Sequence, residues 1–442
     1  MRTLLFLFLT TAFAFCDTFE DFDYTDLGTA IEITDYAGTE TGHLAIPSTI
    51  IGKPVTTIGE NAFGLSPFSS LTIPDSVTHI KNLAFQGCIR LRAVTIPSSV
   101  VRIDDAAFFE NYSLSSITLE VGDVQLGQGI FARCGIGRQG SLEEPTVITL
   151  GNRMTRIGPG MFGNCINIRT IEIPDSVTEI GNGAFSGCGR LSSFSFGAAG
   201  VTEIGERSFA GCGALQEIRL PDNLRAIGSE AFSSCGRLSS VTFPANVDSI
   251  GRHAFESCRG MIAAIFLGDA PATFENGDPV SVNLGGVFRF FAPGFKIYFL
   301  DSSTGFTEPS WDGYDSEEID SSLPAAPWLI AHDLPLSTDF STSLNSLGID
   351  LFTCYAFNLN PTSPELGELT RVAYSMGSIT LTYFGSSPGV LYEGQMSTTL
   401  GSSEWSTASV TEGLIQANGD SSISTSRTFP NVFLRIVATK NW

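Results

Sequence analysis

The sequence predicts a solenoid of stacked repeats, built from parallel β-strands and short helical or 3-10 turns, followed by a small antiparallel β-sandwich. Nine copies of one pattern, an aliphatic residue followed five positions later by Phe, predict the solenoid. Successive Phe residues lie 22 to 24 positions apart, with one spacing of 31, and such a period is typical of stacked units. Alternating apolar runs near the C-terminus predict the sandwich. The nine copies are Ile58–Phe63, Ile80–Phe85, Ile103–Phe108, Leu126–Phe131, Ile157–Phe162, Ile180–Phe185, Ile204–Phe209, Ile227–Phe232 and Ile250–Phe255.

Each repeat combines a short strand with a turn. In one copy Leu91, Val94 and Ile96 alternate with polar residues, which predicts a strand with these side chains inward. Pro97 ends this strand, because proline cannot donate to a strand ladder. The segment Asp104–Phe109 then predicts one helical or 3-10 turn that places the repeat Phe inside. Burial of each Phe contributes about 2 kcal/mol, so stacked repeats would form a hydrophobic spine.

Seven cysteines share one position of the repeat, three residues after the Phe. Ser66 and Asn111 take this position in the two other copies, so it suits a small side chain that hydrogen-bonds nearby backbone. Neighbouring rungs lie about 5 Å apart, which would permit disulfides, but we favour buried free thiols because Ser and Asn replace the thiol. No histidine joins the column, so no metal site is predicted. The column cysteines are Cys88, Cys134, Cys165, Cys188, Cys212, Cys235 and Cys258.

The residues that alternate with the inward strand positions should form an exposed face. This face is short, rich in Ser and Thr, and almost uncharged, with Ala264 and Phe266 as its expected pair in the last repeat. It is either a flat platform for a protein or glycan, or an ordinary row of solvent-facing strand residues. The candidate ligand-facing residues are Thr95, Thr118, Thr149, Thr170, Glu172, Glu217, Arg219 and Thr242.

The repeats resemble the BspA-like leucine-rich repeats of surface proteins. The motif Ile-x-x-Ile-x-Ile-Pro occurs at Ile168–Pro174, and Ile-Gly-x-x-Ala-Phe-x-x-Cys occurs at Ile180–Cys188 and Ile227–Cys235. The resemblance extends over residues 22–300. It implies a leucine-rich-repeat solenoid, and some members of this family act as adhesins, which by analogy suggests adhesion here.

The N-terminus has the features of a signal peptide over residues 1–16. Arg2 precedes the apolar run Leu4–Phe13, and Ala12-Phe13-Ala14 fits the small-x-small cleavage pattern. Cys16 raises the alternative of lipid attachment, although Phe15 before it is a poor match for such a site. No later stretch has the roughly 20 apolar residues of a transmembrane helix. We therefore expect a protein that is secreted or associated with the cell surface.

The remaining chain divides by composition into four further regions. We predict an N-terminal cap over residues 17–45, the repeat solenoid over 46–300, an acidic linker over 301–327 and a C-terminal β-rich domain over 328–442. Residues 307–327 of the linker contain six acids, but they do not follow the spacing of a calcium-binding loop. The C-terminal domain would serve either in sorting to the surface or as a stabilising cap.

The charge and the motifs exclude several classes of function. The formal net charge of −22 disfavours nucleic acid, which requires a basic stripe on its protein partner. The four histidines share no motif with a nucleophile, and no phosphate-binding loop or metal-ligand spacing occurs. We therefore predict no enzyme activity, no cofactor and no metal. The predicted function is binding of an extracellular protein or glycan, with adhesion as one form of it. The alternative is a structural component of an envelope or extracellular layer.

Two local features carry further expectations. The long spacing between the fourth and fifth Phe implies an insertion within Gly135–Pro145, which should protrude as a loop. The sequence Asn111-Tyr112-Ser113 is a glycosylation sequon, but its Asn lies in the inward column. We expect this Asn to be buried and unmodified.

Overall fold

The structure is a computed structural model that describes most of residues 17–321 and six strands nearer the C-terminus. The described ranges are 17–122, 124–135, 145–196, 200–275 and 286–321, with Pro327 and Ile330. The C-terminal strands fall between 370 and 440. The predicted signal peptide and residues 136–144 of the insertion lie outside these ranges. The chain forms two compact units, the first from residues 1–153 and 160–167, the second from 154–159 and 168–442.

The first unit is built from two sheets, which we call its front sheet and its rear sheet. The front sheet has the order β4-β7-β9-β11-β13, and the rear sheet has the order β1-β2-β3-β6-β8-β10-β12. The strands are β1 (Asp17–Phe19), β2 (Phe22–Asp26), β3 (Ile31–Tyr36), β4 (His43–Ala45), β5 (Thr49–Ile50), β6 (Lys53–Ile58), β7 (Ser70–Thr72), β8 (His79–Ile80), β9 (Ala93–Ile96), β10 (Arg102–Ile103), β11 (Ser116–Leu119), β12 (Gln125–Leu126) and β13 (Val147–Leu150).

The strands of each repeat pair in parallel with the same strands of the neighbouring repeats. Strand β11 pairs with β9 on one side and β13 on the other, with Thr118 opposite both Thr95 and Thr149. The N-terminal strands differ, because β1, β2 and β3 form an antiparallel meander whose last strand joins β6 in parallel. This meander covers most of the region 17–45 for which the sequence predicts a cap.

The second unit repeats the two-sheet arrangement. Its rear sheet has the order β14-β16-β18-β19-β21-β24, and its front sheet consists of the pair β15-β17 and of β20-β23-β26-β28-β27. The strands up to residue 319 are β14 (Arg156–Ile157), β15 (Thr170–Glu172), β16 (Glu179–Ile180), β17 (Ser193–Ser195), β18 (Glu203–Ile204), β19 (Ala226–Ile227), β20 (Ser240–Phe243), β21 (Ser249–Ile250), β22 (Phe255–Glu256), β23 (Ala263–Phe266), β24 (Thr273–Phe274), β25 (Phe288–Arg289), β26 (Lys296–Leu300), β27 (Ser310–Trp311) and β28 (Tyr314–Ile319).

The repeat Phe side chains form a stack of buried rings within each unit. Successive ring centroids are 4.8 to 5.8 Å apart in the first unit and 5.1 to 5.4 Å apart in the second. The predicted inward Phe column is therefore confirmed within each unit. The stacked rings are Phe63, Phe85, Phe108, Phe131 and Phe162 in the first unit, and Phe185, Phe209, Phe232, Phe255 and Phe288 in the second.

The turn around each repeat Phe differs from the predicted helical or 3-10 turn. The residues two positions before and after the Phe have positive φ, for example 53° at Arg207 and 77° at Gly211 around Phe209. A right-handed helix requires negative φ. The N–H of Phe209 donates to the carbonyl of Ala231 on the next rung at 2.8 Å. The helical prediction is wrong, because alternate backbone N–H groups of the turn connect neighbouring rungs.

The predicted acidic linker over residues 301–327 contains two strands instead. Strand β28 pairs in parallel with β26, and β27 pairs antiparallel with β28. Tyr314, Ser316 and Ile319 are buried in β28, while Asp315 is exposed. Three of the acids, Asp315, Glu317 and Glu318, therefore lie on a strand that has a buried side, and the front sheet of the second unit extends beyond residue 300.

The described C-terminal strands pair only antiparallel. One sheet has the order β29-β30-β33-β32, and β31 pairs with β34. Antiparallel strands agree with the predicted β-rich domain, but the packing of a sandwich is not supported and stays a prediction. The strands are β29 (Thr370–Ser375), β30 (Ser378–Phe384), β31 (Val390–Ser397), β32 (Thr411–Glu412), β33 (Asp420–Ser426) and β34 (Phe433–Lys440).

Candidate ligand-binding face

The front sheet of the first unit places three candidate residues in one row. Thr95, Thr118 and Thr149 lie opposite one another on β9, β11 and β13. Thr95 and Thr149 are exposed, and Thr118 is half-buried. Their inward neighbours include Ile117, which is buried, so the strand alternation orients this row of hydroxyls outward.

The front side of the second unit carries the other five candidate residues, three of them on strands β15 and β20 and two, Glu217 and Arg219, on the segment between β17 and β20. Thr170 and Glu172 are exposed on β15, opposite Ser193 and Ser195 of β17. Arg219 is exposed and forms a parallel bridge with half-buried Thr242, and Glu217 is half-buried. The structure thus assigns the candidates to two rows, one in each unit. A ligand of either row would meet hydroxyl groups and a few charges, without a deep apolar cavity being required.

The expected outward pair of the last repeat is wrong. Ala264 and Phe266 lie opposite Val241 and Phe243, which are inward residues, and all four are buried. The register instead assigns the outward positions to the residues Ala263 and Ile265, which are also buried. These two residues belong to an apolar cluster with Ile319 and Ile330. At β23 the outward positions of the second unit are therefore buried in an apolar cluster and are not open to a ligand.

His43 extends the row of the first unit, and the sequence reasoning missed it. Its Nδ1 is 3.0 Å from Ser70 Oγ and its Nε2 is 3.1 Å from Thr72 Oγ1. The ring therefore orients two hydroxyl groups on the exposed face. A signal was present, because Leu44-x-Ile46-Pro47 matches the strand pattern of the repeats and predicts one more front strand.

The column of small residues explains why these positions are not reactive sites. All seven column cysteines are free and buried, as predicted. Six of their thiols donate to the carbonyl of a Phe on the preceding rung at 3.0 to 3.3 Å, as in Cys212 to Phe185 at 3.3 Å. Asn111 does the same with its Nδ2, 3.0 Å from the Phe85 carbonyl, and is fully buried. A glycan on this Asn would have no room, which agrees with the expectation of an unmodified sequon.

Burial should keep these thiols unreactive in the folded protein. It raises the pKa of Cys88, Cys165, Cys212 and Cys258 to about 12. We expect iodoacetamide at pH 8 to leave the described column cysteines unlabelled in the native chain and to label them in urea, as measured by mass spectrometry of peptides. Because folding raises these pKa values, the neutral buried thiols contribute to the free energy of unfolding. This contribution is complete below about pH 8.5 and is lost as the pH rises toward 12. Labelling of Cys212 in the native chain would contradict this prediction.

Among the residues that the structure describes, no helix is long and apolar enough to cross a membrane. The same residues contain no group of three or more His, Cys, Asp or Glu side chains arranged to hold a metal ion.

Stacked parallel strands, one inward Phe column and a repeat of about 23 residues define a leucine-rich-repeat solenoid. The profile of the BspA type Leucine rich repeat region matches residues 31–139 and 140–262, in six copies. The chain belongs to this family. The family consists of repeat proteins of bacterial surfaces, and its repeat is a non-enzymatic scaffold that generally binds proteins. A comparison with curated proteins found no match.

Several solved structures are similar to this chain. A leucine rich repeat protein of T. pallidum is 26% identical, with 50% of this chain and 90% of that chain covered and a TM-score of 0.35. A leucine rich cell surface protein from Faecalibacterium prausnitzii is 21% identical, with coverages of 70% and 95% and a TM-score of 0.36. The pneumococcal vaccine antigen PcpA is 17% identical, with coverages of 66% and 88% and a TM-score of 0.33.

Proposed function

We propose that the protein is exported and acts at the cell surface, where its front sheets bind an extracellular protein. The observation that supports this most is the row of outward hydroxyls in register on neighbouring strands, as in Thr95, Thr118 and Thr149. Such a row is flat, polar and held by a packed core, so a partner would meet a surface that needs little ordering on binding.

Adhesion to a host or matrix protein is the form of binding that we propose. Family membership supports it, since the repeats of this family occur on bacterial surfaces. The signal-peptide features of residues 1–16 support export. A glycan partner of the front sheets and a structural role in an envelope layer are the alternatives that the experiments must separate.

Two substitutions on the front sheet should weaken partner binding. Thr95→Arg with Thr149→Arg adds two long charged side chains to the exposed row without entering the core. We expect the affinity of the full chain for its protein partner to fall by about tenfold or more, since a central clash or unpaired charge costs over 1.4 kcal/mol. Binding would be measured against a panel of immobilised matrix proteins and neutral glycans.

The matched control places the same charges on the rear side of the same unit, on strand β12 and directly before strand β10. Val101→Arg with Gln125→Arg alters two exposed positions and should leave the affinity unchanged. Equal losses in the two double variants would argue against the front sheet as the binding face. A strictly glycan-selective chain would contradict the protein partner, and a chain confined to insoluble envelope layers would favour the structural role.

A further inference from the structure

The links between the Cys column and the front strands carry an excess of arginine. In the second unit the link positions include Arg169, Arg190, Arg237 and Arg259, which we call the arginine edge. All four are exposed. The corresponding link of the first unit contains Arg90 and Arg92, also exposed.

These links contain no acidic residue, although acids outnumber bases in the chain. The links of the second unit are Arg169, 189–192, 213–216, 236–239 and 259–262, and none of them includes Asp or Glu. The chain as a whole has 46 acidic and 24 basic residues. The charges are therefore segregated by repeat position, with arginines at one border of the front sheet.

Two other arginines of the same unit, Arg207 and Arg225, are used in ion pairs. Arg207 Nη2 is 2.6 Å from Glu230 Oε1, and Arg225 Nη1 is 3.3 Å from Asp248 Oδ2. Arg237 forms no ion pair with any other described residue. The same holds for Arg169 and Arg259 among the residues that the structure describes. Their guanidinium groups are thus available to an external anion.

The register of the front sheet sets the spacing of the edge. Ser240 pairs with Ala263, so the links that carry Arg237 and Arg259 lie on neighbouring rungs. Thr170 pairs with Ser193 in the same way, which places Arg169 and Arg190 on neighbouring rungs. Rungs are about 4.8 Å apart, so each pair of guanidinium groups follows the direction in which the repeats stack. The link 213–216 between the two pairs contains no arginine.

Nearby acids limit where a polyanion can lie. Glu172 of β15 and Glu217, between β17 and β20, lie on the front side beside the edge. Rear-sheet acids such as Glu179 and Glu203 lie on the other sheet. At physiological salt the Debye length is about 8 Å, so exposed charges beyond that distance are largely screened. The Arg237 and Arg259 end of the edge, with no acid on either link or at the first outward strand position, is the most favourable part.

We propose that the arginine edge binds a linear anionic polysaccharide, sulfated or carboxylated, that lies across the rungs. Guanidinium groups bind such oxyanions in a bidentate manner, and repeated anions match repeated arginines. Ser192, Ser193 and Ser239 beside the edge offer hydrogen bonds to sugar hydroxyls. Single-stranded nucleic acid is disfavoured, because the edge links contain no aromatic side chain on which bases could stack. This surface is separate from the eight front-sheet candidates.

The test uses the full chain and heparin as the probe, with chondroitin sulfate and neutral dextran beside it. We expect the native chain to bind heparin at about 0.1 M salt, with an affinity that falls steeply as the salt concentration rises. We expect no binding of dextran. Arg237→Glu with Arg259→Glu should lower the affinity by about tenfold or more. The matched control, Arg156→Glu with Arg252→Glu, makes the same charge change at exposed positions outside the links and should alter it less than about twofold.

Several results would overturn the proposal. These are a native chain that binds neither sulfated polysaccharide, equal losses in the two double variants, or tighter binding of poly-glutamate or single-stranded DNA than of heparin. Unchanged urea midpoints would show that each variant is folded. The same variants are assayed against the protein partner of the front sheet, whose binding should persist. A loss of heparin binding by the arginine edge can therefore be distinguished from a loss of protein binding by the front sheet.

Discussion

Replacement of Phe232 by Ala should lower the free energy of unfolding by about 3–5 kcal/mol. The ring is fully buried, with its centroid 5.1 Å from those of both Phe209 and Phe255. Its removal takes away the burial of one large side chain and leaves a cavity that rigid neighbouring rungs cannot fill. Stability in a stacked repeat depends on interfaces between neighbours, so the loss affects both sides of the rung.

The measurement is urea unfolding of the full chain, followed by circular dichroism. Phe290→Ala provides the control, because this Phe belongs to the same unit but its side chain is 55% exposed. We expect the control to change the free energy of unfolding by less than about 1 kcal/mol. Equal effects of the two substitutions would show that the ring stack does not dominate stability.

Replacement of Gly228 by Ala should destabilise the chain by about 1–3 kcal/mol, although it adds only one methyl group. A Cβ at this position would lie 2.5 Å from Glu206 N and 2.7 Å from Gly205 C on the preceding rung. These are backbone atoms of a paired rung, so relief requires that the rungs separate. The usual gain from replacing Gly with Ala, about 0.4–1 kcal/mol through the unfolded chain, is too small to compensate.

Gly236→Ala is the matched control in the same repeat. A Cβ there would meet no atom within 4 Å. We expect this variant to be as stable as the native chain or slightly more stable, with both midpoints measured in the same urea series. If Gly228→Ala were equally well tolerated, the close approach of the rungs would not explain why Gly follows Ile in most repeats.

Much of the solenoid was predictable because its rules repeat along the chain. The period, the inward Phe and the small column residue each recur at fixed spacing, and the structure confirms the last two. The turn was not predictable, because a local pattern resembles a helix start. Its actual conformation depends on hydrogen bonds such as Phe209 N–H to the Ala231 carbonyl, which join residues one repeat apart.

The candidate site also has a part that the sequence predicted and a part that it did not. Strand alternation was enough to place Thr95 and Thr149 at exposed positions, because period-two alternation needs no knowledge of distant residues. It failed at Ala264, where the last repeat has a different register from the one expected. The prediction of a linker over residues 301–327 relied on their acidic composition, which gave no sign of the buried side of β28.

The sequence by itself determined the repeat, its inward columns and the parallel stacking of strands, since these follow from spacing and side-chain polarity. Only the tertiary structure decided which backbone groups pair between rungs, and that Ile330 packs with Ala263 and Ile265 of β23. The physical reason is that stacking brings together residues about 23 positions apart. Contacts between residues so far apart in the sequence depend on the register of neighbouring rungs, which a local sequence pattern does not specify.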